Sequence, residues 1–500
     1  MPKPAPLAAE ADWKRRAVLT DDGYYALATE DTGDACVRLF LTPTLLQETE
    51  ATLYRQIVNA TRFPGARMVA ITPDTHYGYG VPVGCVILTD RENGAVAMGP
   101  VGFDIGCGMM SARSDVPADR ATPDRKLAFN REVMQRVSMG AGGTSVRLGK
   151  VSEGEFQDLV RGGAEYYVDK YGAAFDRSRA ERHRIPVDDG WQIPWGAEGR
   201  PERGREQLGS LGGGNHFIEL QRAEETGTLF VQVHTGSRGF GHGLATNYFA
   251  MAKAENPEHI DDIDLGYFTP ASRHHSDYLN AVAAGGNYAI LNRLIIFEQI
   301  AEAFRKVFRA ELELVYEISH NLVQAETHPE FGEVWVHRKG ATRAFPGGHP
   351  ALAGTIWEAS GHPVLIPGSN RDYSYILRPL PGAVRSGYSV NHGAGRRMSR
   401  GEAMRQLDQH KVNEQYRRDG ILVNLDGKVP LDESSACYKR AEEVVRAVVD
   451  AGLATIEHTL WPLASLKGTD EGRGAKRARR KEDRQRDKTR DAARKTKAHY

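Results

Sequence analysis

Thr228-Leu229-Phe230-Val231-Gln232-Val233 reads as a strand, and His234-Thr235-Gly236-Ser237-Arg238-Gly239 follows it directly. Apolar and β-branched side chains recur along the first segment as a sheet requires, and the glycines of the second stop it abruptly. An imidazole is thereby set at a strand end, beside backbone that can approach a ligand closely.

The design recurs. Leu312–Ile318 reads as a strand and runs into Ser319-His320-Asn321. Ser389-Val390-Asn391 runs into His392-Gly393-Ala394-Gly395-Arg396. A fourth histidine lies in Gly212-Gly213-Gly214-Asn215-His216-Phe217. Any one of them alone reads more simply as an ordinary surface or core histidine. Four in glycine-rich settings point to a cleft into which a sheet delivers imidazoles. His392, between free N–H groups and an arginine, suits phosphate handling as a ligand or a nucleophile.

The chain has 500 residues, enough for a large core and for more than one domain. Lys plus Arg and Asp plus Glu both number 65. The balance hides an asymmetry: residues 469–500 carry 13 basic against 6 acidic side chains. That tail reads as solvated helix or disorder, with an RNA-contacting arm as the alternative. Cys36, Cys85, Cys107 and Cys437 are too scattered for a disulfide framework. Met1-Pro-Lys-Pro-Ala-Pro lacks the apolar centre of a signal peptide, and no apolar run reaches the ~18 residues of a membrane span. A cytoplasmic, membrane-free setting is expected.

Along the chain, Thr44–Asn59 predicts a helix. Met68–Met110 predicts buried strands and tight turns. Residues 153–206 predict helices and a charged surface excursion. Tyr278–Val307 predicts the longest helix, with its apolar positions in the core, and Ala441–Leu453 another helix. No internal repeat stands out.

Val101-Gly102-Phe103-Asp104-Ile105-Gly106-Cys107-Gly108-Met109 sets a carboxylate and a thiol three residues apart. Alone it reads equally well as a turn with an inert cysteine. With His216, His234 and His320 the donors are oxygen, sulfur and nitrogen, a set suited to a borderline transition metal rather than Ca²⁺ or Mg²⁺. Five ligands exceed one tetrahedral site, and a thiolate can bridge two ions, a pairing suited to phosphoryl chemistry. Gly212–Asn215 and Gly393–Gly395 can aim N–H groups at phosphates. His337-Arg338-Lys339-Gly340-Ala341-Thr342-Arg343 is either a solvated charged face or a phosphate contact. No P-loop pattern is present.

Together these segments resemble the RtcB family of RNA ligases. Pro73–Gly80 is similar to its PDxHxGYG segment, Val101–Met109 to VGxDIGCGM, Leu208–Glu219 to LGxLGGGNHFxE and His234–Gly239 to HxGSRG. His320-Asn321 resembles its HN pair, His337–Phe345 its HRKGATRAF, His392–Arg396 its HGAGR and Leu466–Gly468 its terminal lysine-glycine. The motifs keep family order over about residues 68–468. The resemblance implies a mixed α/β (α+β), sheet-centred catalytic domain over 1–468 with peripheral helices, followed by the basic tail 469–500.

It also implies an enzyme that joins an RNA 3′-phosphate or 2′,3′-cyclic phosphate to a 5′-hydroxyl, in RNA repair or tRNA splicing. GTP is the implied co-substrate, and two Mn²⁺ the implied metals. Asp104, Cys107 and His216 would hold one ion. Cys107, His234 and His320 would hold the other. His392 would be the nucleophile that takes the guanylyl group. The matching nucleotide positions are Asn215, His216, Phe217, Ile218, Glu219, His320, Asn321, Pro367, Gly368, Ser369, Asn370, Ser374, His392, Gly393, Ala394, Gly395, Tyr438 and Lys467. Glu219 and Lys467 suit guanine, one accepting from its N–H groups and the other donating to O6. Arg238, Arg338, Lys339 and Arg343 are candidates for RNA contact, and an archease-like activator is a candidate partner.

Three features depart from the family. Pro367-Gly368-Ser369-Asn370-Arg371-Asp372-Tyr373-Ser374-Tyr375 stands where a PGSMGTxSY-like segment is usual, residues 153–206 carry no family motif, and 32 residues follow Gly468. The altered segment motivates a second reading, an RNA 3′-phosphate guanylyltransferase that seals poorly. A non-catalytic RNA-binding accessory is a third.

Overall fold

Residues 68–71 and 85–88 are continuously buried and belong to two long antiparallel strands, Ala66–His76 and Val83–Asp90, with Val69 opposite Ile87. Alternate side chains serve different cores. Val69, Ile71, Cys85 and Ile87 pack with Leu53, Ile57 and Trp13 on one face. Met68, Ala70, Val86 and Leu88 pack with Val334, Val445 and Val448 on the other. Burial on both faces explains why this stretch reads as continuously apolar. Each buried Val, Ile, Leu or Met among them contributes roughly 1.5–3 kcal/mol. The sheet has seven strands, in the order Val18–Leu19, Tyr25–Leu27, Cys36–Leu39, Ala66–His76, Val83–Asp90, Gly332–Lys339 and Asn321–His328. The computed structural model describes residues 7–172, 175–180, 184–256 and 263–468, so the basic tail from Thr469 lies outside the described residues.

The second sheet runs Glu313–Ser319, Gly108–Pro117, Thr228–Thr235, Phe217–Ala223, Ala454–Lys467, Ser374–Pro379 and Val364–Ile366, with Leu422–Val423 alongside Ala454–Lys467. One face, including Met110, Ile218, Val231 and Val233, packs on the helix His275–Phe308 through Ile290, Leu294 and Phe297. This 34-residue helix, about 51 Å long, is buried over most of its length, as the Tyr278–Val307 periodicity predicts. Its buried polar residues grip loops. Asn280 and Asn287 accept from the N–H groups of Asp188 and Ile185, and Asn292 from that of Gly209. The charged excursion is thus pinned to the core helix.

Two predicted elements differ in detail. Thr44–Asn59 is two helices, Pro43–Glu48 and Leu53–Thr61, because Thr49 turns extended and its hydroxyl donates to the Leu45 carbonyl (2.7 Å). The helix Glu153–Tyr171 is interrupted at Gly163, whose φ of 57° is left-handed.

The two sheets meet at His320. Glu313–Ser319 lies in the second sheet and Asn321–His328 in the first, so His320 is the crossing residue. Gly108 pairs with both Ser319 and Thr235 there. The short pair Ala341–Arg343 and Ser389–Asn391 brings His392 to the same place.

Candidate active site

At that junction, Met109 and Phe217 both pair with His234, which draws Cys107 and His216 to its strand end. Cys107 Sγ lies 3.3 Å from His234 Nε2 and 3.6 Å from His216 Nε2. His234 Nε2 is 3.3 Å from His320 Nε2, and His216 Nε2 is 3.0 Å from Asp104 Oδ2. Two donor triplets result, Asp104/Cys107/His216 and Cys107/His234/His320, each with its ligand atoms within 4.8 Å of one another. Cys107 belongs to both.

Hydrogen bonds behind the cluster orient the rings. His216 Nδ1 faces the Leu211 carbonyl (3.1 Å) and His234 Nδ1 the Asn215 carbonyl (3.2 Å). A carbonyl only accepts, so both Nδ1 atoms carry the proton and both Nε2 atoms offer lone pairs. Burial, then neighbouring charged groups, holds His234 and His320 well below the usual histidine range, so both are neutral near pH 7. Burial and the Asp104 carboxylate push the Cys107 thiol up. Burial opposes ionisation of Asp104, but a proton between its carboxylate and His216 Nε2, in the place a cation would take, holds its pKa below the ordinary value. Lone pairs converging at 3.0–3.6 Å repel one another unless a cation or proton lies between them. The donor set therefore fits a divalent transition metal. Gly236 is needed for this approach, since a Cβ there would lie 2.3 Å from Asp104 Oδ1.

His392 stands beside the cluster, its ring 4.9 Å from that of His320. Its Nδ1 lies 2.6 Å from Asp74 Oδ2, which also accepts the backbone N–H groups of His392 (3.1 Å) and Gly393 (3.2 Å). Burial works to raise the pKa of Asp74, but His392, the Thr72 hydroxyl and Lys439 prevail and hold it below the usual carboxylate range. An ionised carboxylate cannot donate, so His392 Nδ1 carries the proton and Nε2 the lone pair. Asp74 reaches this position because strand pairing is interrupted between Ile71 and His76. Gly395, at φ 77°, packs so closely on Asp74 that a Cβ would meet its carbonyl at 2.0 Å.

A cavity of about 390 Å³ opens from these groups. Its lining includes Asp104, Cys107, His234, His320 and His392, with Asn215, Phe217, Glu219, Asn321, Pro367, Gly368, Ser369, Asn370, Gly393, Ala394, Gly395, Tyr438 and Lys467. Burial raises the Glu219 pKa to about 7, against the opposing Gln221 hydrogen bond and Lys467 charge. Lys467 pairs across the sheet with Phe217, and its Nζ reaches Glu433 (3.3 Å).

The family profile described as tRNA-splicing ligase RtcB matches residues 56–468. The chain is similar to a tRNA-splicing ligase RtcB of Pyrobaculum aerophilum, 36% identical over 465 residues, which span 86% of this chain and 94% of the relative. It is also similar to an RNA-splicing ligase RtcB of Mycobacterium tuberculosis, 34% identical over 437 residues, 83% of this chain and 100% of the relative. The chain belongs to the RtcB family.

Seen as an RtcB member, the chain keeps some expected residues out of the cleft. Ile218 faces the core beneath the sheet. Ser374 supports the cleft from behind, accepting the Gly368 N–H at 3.0 Å. Arg338 and Arg343, candidates for RNA contact, are both buried. Arg338 is 2% exposed, bound to Glu326 (2.5 Å) and Ser389 Oγ (2.9 Å). Arg343 is buried with its guanidinium 4.7 Å from the Phe345 ring centre. Residue type announces charge, whereas burial depends on how the strands are packed. Arg238 donates to Gly140 O (3.1 Å) and Ser210 Oγ (3.3 Å). Lys339 lines the cleft while donating to Tyr79 O (2.6 Å).

The altered RtcB segment is less disruptive than its charges suggest. Arg371 turns outward to Asp419 (2.5 Å). Asp372 caps the helix Ala441–Asp450, accepting the Ala441 N–H at 2.9 Å. Among the three replacements only Asn370 lines the cleft. The two charged replacements therefore stay out of the cleft, while Asn370 remains in its wall. Sequence reasoning missed three residues. Asp74 lay in a recognised motif without a role. Glu433, 2% exposed, gathers Lys467, Arg396, Arg400 and Tyr438. Arg293 is fully buried in the long helix, and nothing in its apolar surroundings distinguishes it.

Proposed function

We propose that this RtcB member is an RNA ligase that joins 3′-phosphate or 2′,3′-cyclic phosphate ends to 5′-hydroxyl ends at the expense of GTP. The observation that carries the reading is the Asp74–His392 contact of 2.6 Å, which leaves His392 Nε2 as a nucleophile beside the donor cluster. The named activities of the relatives support the substrate class.

In this mechanism His392 Nε2 attacks the α-phosphorus of GTP. An N–P bond forms and pyrophosphate leaves. Nδ1 keeps its proton, so the ring becomes cationic, and the Asp74 carboxylate stabilises that charge. An oxygen of the RNA 3′-phosphate then takes the guanylyl group and frees His392. The 5′-hydroxyl attacks the activated 3′-phosphorus, a phosphodiester forms, and GMP leaves. A cyclic end is first opened by water. Two Mn²⁺ ions, one held by Asp104, Cys107 and His216 and one by Cys107, His234 and His320, would supply charge neutralisation for the phosphoryl oxygens. Glu219 and Lys467 would read the guanine edge.

The test is ligation of RNA bearing 3′-phosphate and 5′-hydroxyl ends with GTP and Mn²⁺. Joined product is expected from the native chain and none from His392→Ala. Equal joining by the variant overturns the nucleophile assignment, and no joining by the native chain overturns the ligase reading.

A further inference from the structure

Tyr79 is 67% exposed, more than any other large hydrophobic side chain among the described residues, yet it stands in the wall of the cleft. A lone exposed ring on open surface needs no explanation. This one rides on backbone that is held firmly. Gln56 donates to the Gly78 carbonyl and accepts the Gly78 N–H (2.9 Å), and Asn59 donates to the Gly80 carbonyl (2.9 Å). Lys339 Nζ donates to the carbonyls of Tyr79 (2.6 Å) and Val81 (3.2 Å). The ring itself meets Phe103 edge to face, with centres 6.1 Å apart, and Phe103 stacks on Phe249 at 4.9 Å. A braced aromatic ring with most of its surface open therefore faces the cleft. The same loop is tied to His392: Gly340 follows Lys339 and packs on the imidazole, where a Cβ would lie 2.9 Å from Cε1. Glu219 and Lys467, proposed to read guanine, come from paired strands of the other sheet, which leaves Tyr79 for a different base.

We propose that Tyr79 stacks on the 3′-terminal base of the RNA strand whose 3′-phosphate takes the guanylyl group from His392. The inference rests on the ligase reading of this cleft. In that reading two strands meet the enzyme, but the 3′-phosphate end is the one that must reach His392 itself, and Tyr79 is braced on the His392 side. Every base has a π face, so the contact adds affinity for an unpaired end without reading its sequence. An end stacked in a duplex would have to give up that stacking first, which makes an unpaired 3′ end the preferred substrate.

The test starts from the full chain already carrying GMP and follows transfer to a short RNA with an unpaired 3′-phosphate end. Tyr79→Ala should raise the RNA concentration at half-maximal rate roughly tenfold, whereas Tyr79→Phe and Tyr79→Trp should hold it near the native value. An RNA whose 3′-terminal nucleotide lacks its base should not distinguish Tyr79→Ala from the native chain, an outcome that a merely structural role would not give. No loss in Tyr79→Ala overturns the proposal. So does a loss that persists with the abasic end, or one confined to the later attack of the 5′-hydroxyl strand. Binding is read separately with 2-aminopurine as the 3′-terminal base. The native ring should quench its fluorescence and Tyr79→Ala should not, and equal quenching by both overturns the proposal. Quenching through Tyr79 in a native chain that forms no guanylyl adduct would sink the covalent mechanism and leave the stacking site standing.

Discussion

Asp74 determines what His392 can do. It fixes the proton on Nδ1 and leaves the lone pair on Nε2, and in the proposed mechanism it would stabilise the cationic ring. Asp74→Asn keeps the shape but lets the amide donate, which favours the wrong tautomer. Single-turnover guanylyl transfer should fall roughly 10²- to 10⁴-fold with little change in GTP affinity. A loss confined to affinity would contradict the role. Glu219 makes a second prediction. It titrates near pH 7, raised by burial. In the proposed guanine site the carboxylate would accept from the base and the carboxylic acid would accept poorly, so GTP affinity should fall as pH drops from about 8 to about 6. Glu219→Gln should flatten that dependence, and a native profile flat over this range would refute the role. The histidines and Cys107 were legible in the sequence because their chemistry stands beside glycines. Asp74 was not, because its meaning comes from a strand interruption and a partner 318 residues away.

At the scale of elements, the donor cluster is a property of strand ends, and one helix side chain ties them together. Arg293 donates to the carbonyls of Gly106 and Thr235 (both 2.8 Å) and to Ser319 Oγ (2.7 Å). Each is the immediate neighbour of a candidate ligand: Cys107, His234 or His320. Glu317, itself fully buried, balances the charge. Arg293→Gln breaks the tether and leaves Glu317 without its ion pair, at a cost of about 3–5 kcal/mol. The expected outcome is a lower melting temperature together with weaker Co²⁺ binding and a changed thiolate-to-cobalt absorption band. Arg293→Lys should restore more stability than spectrum. Native-like cobalt spectra in both variants would show that Arg293 has no positioning role. The helix itself was legible from periodicity. Its buried arginine was not, because periodicity reports which face is inward and not what an inward polar group holds.

Over the whole molecule, the site exists only because distant segments converge. Asp74 comes from the first sheet, His234 from the second, Cys107 from the residue before its strand Gly108–Pro117, His320 from the crossing between the sheets, and His392 from the end of the two-stranded pair Ala341–Arg343 and Ser389–Asn391. Order along the sequence supplied the family resemblance, while the junction of two sheets supplies the geometry. The charged replacements Arg371 and Asp372 show the converse: they looked disruptive beside a nucleotide motif and instead brace Asp419 and the helix Ala441–Asp450. In the proposed mechanism this convergence makes His392 Nε2 a nucleophile. Incubation of the full chain with Mn²⁺ and α-labelled GTP, followed by peptide mass spectrometry, tests it most directly. The expected result is one acid-labile GMP on the peptide containing His392, absent from His392→Ala. No adduct, or an adduct on another residue, would contradict it.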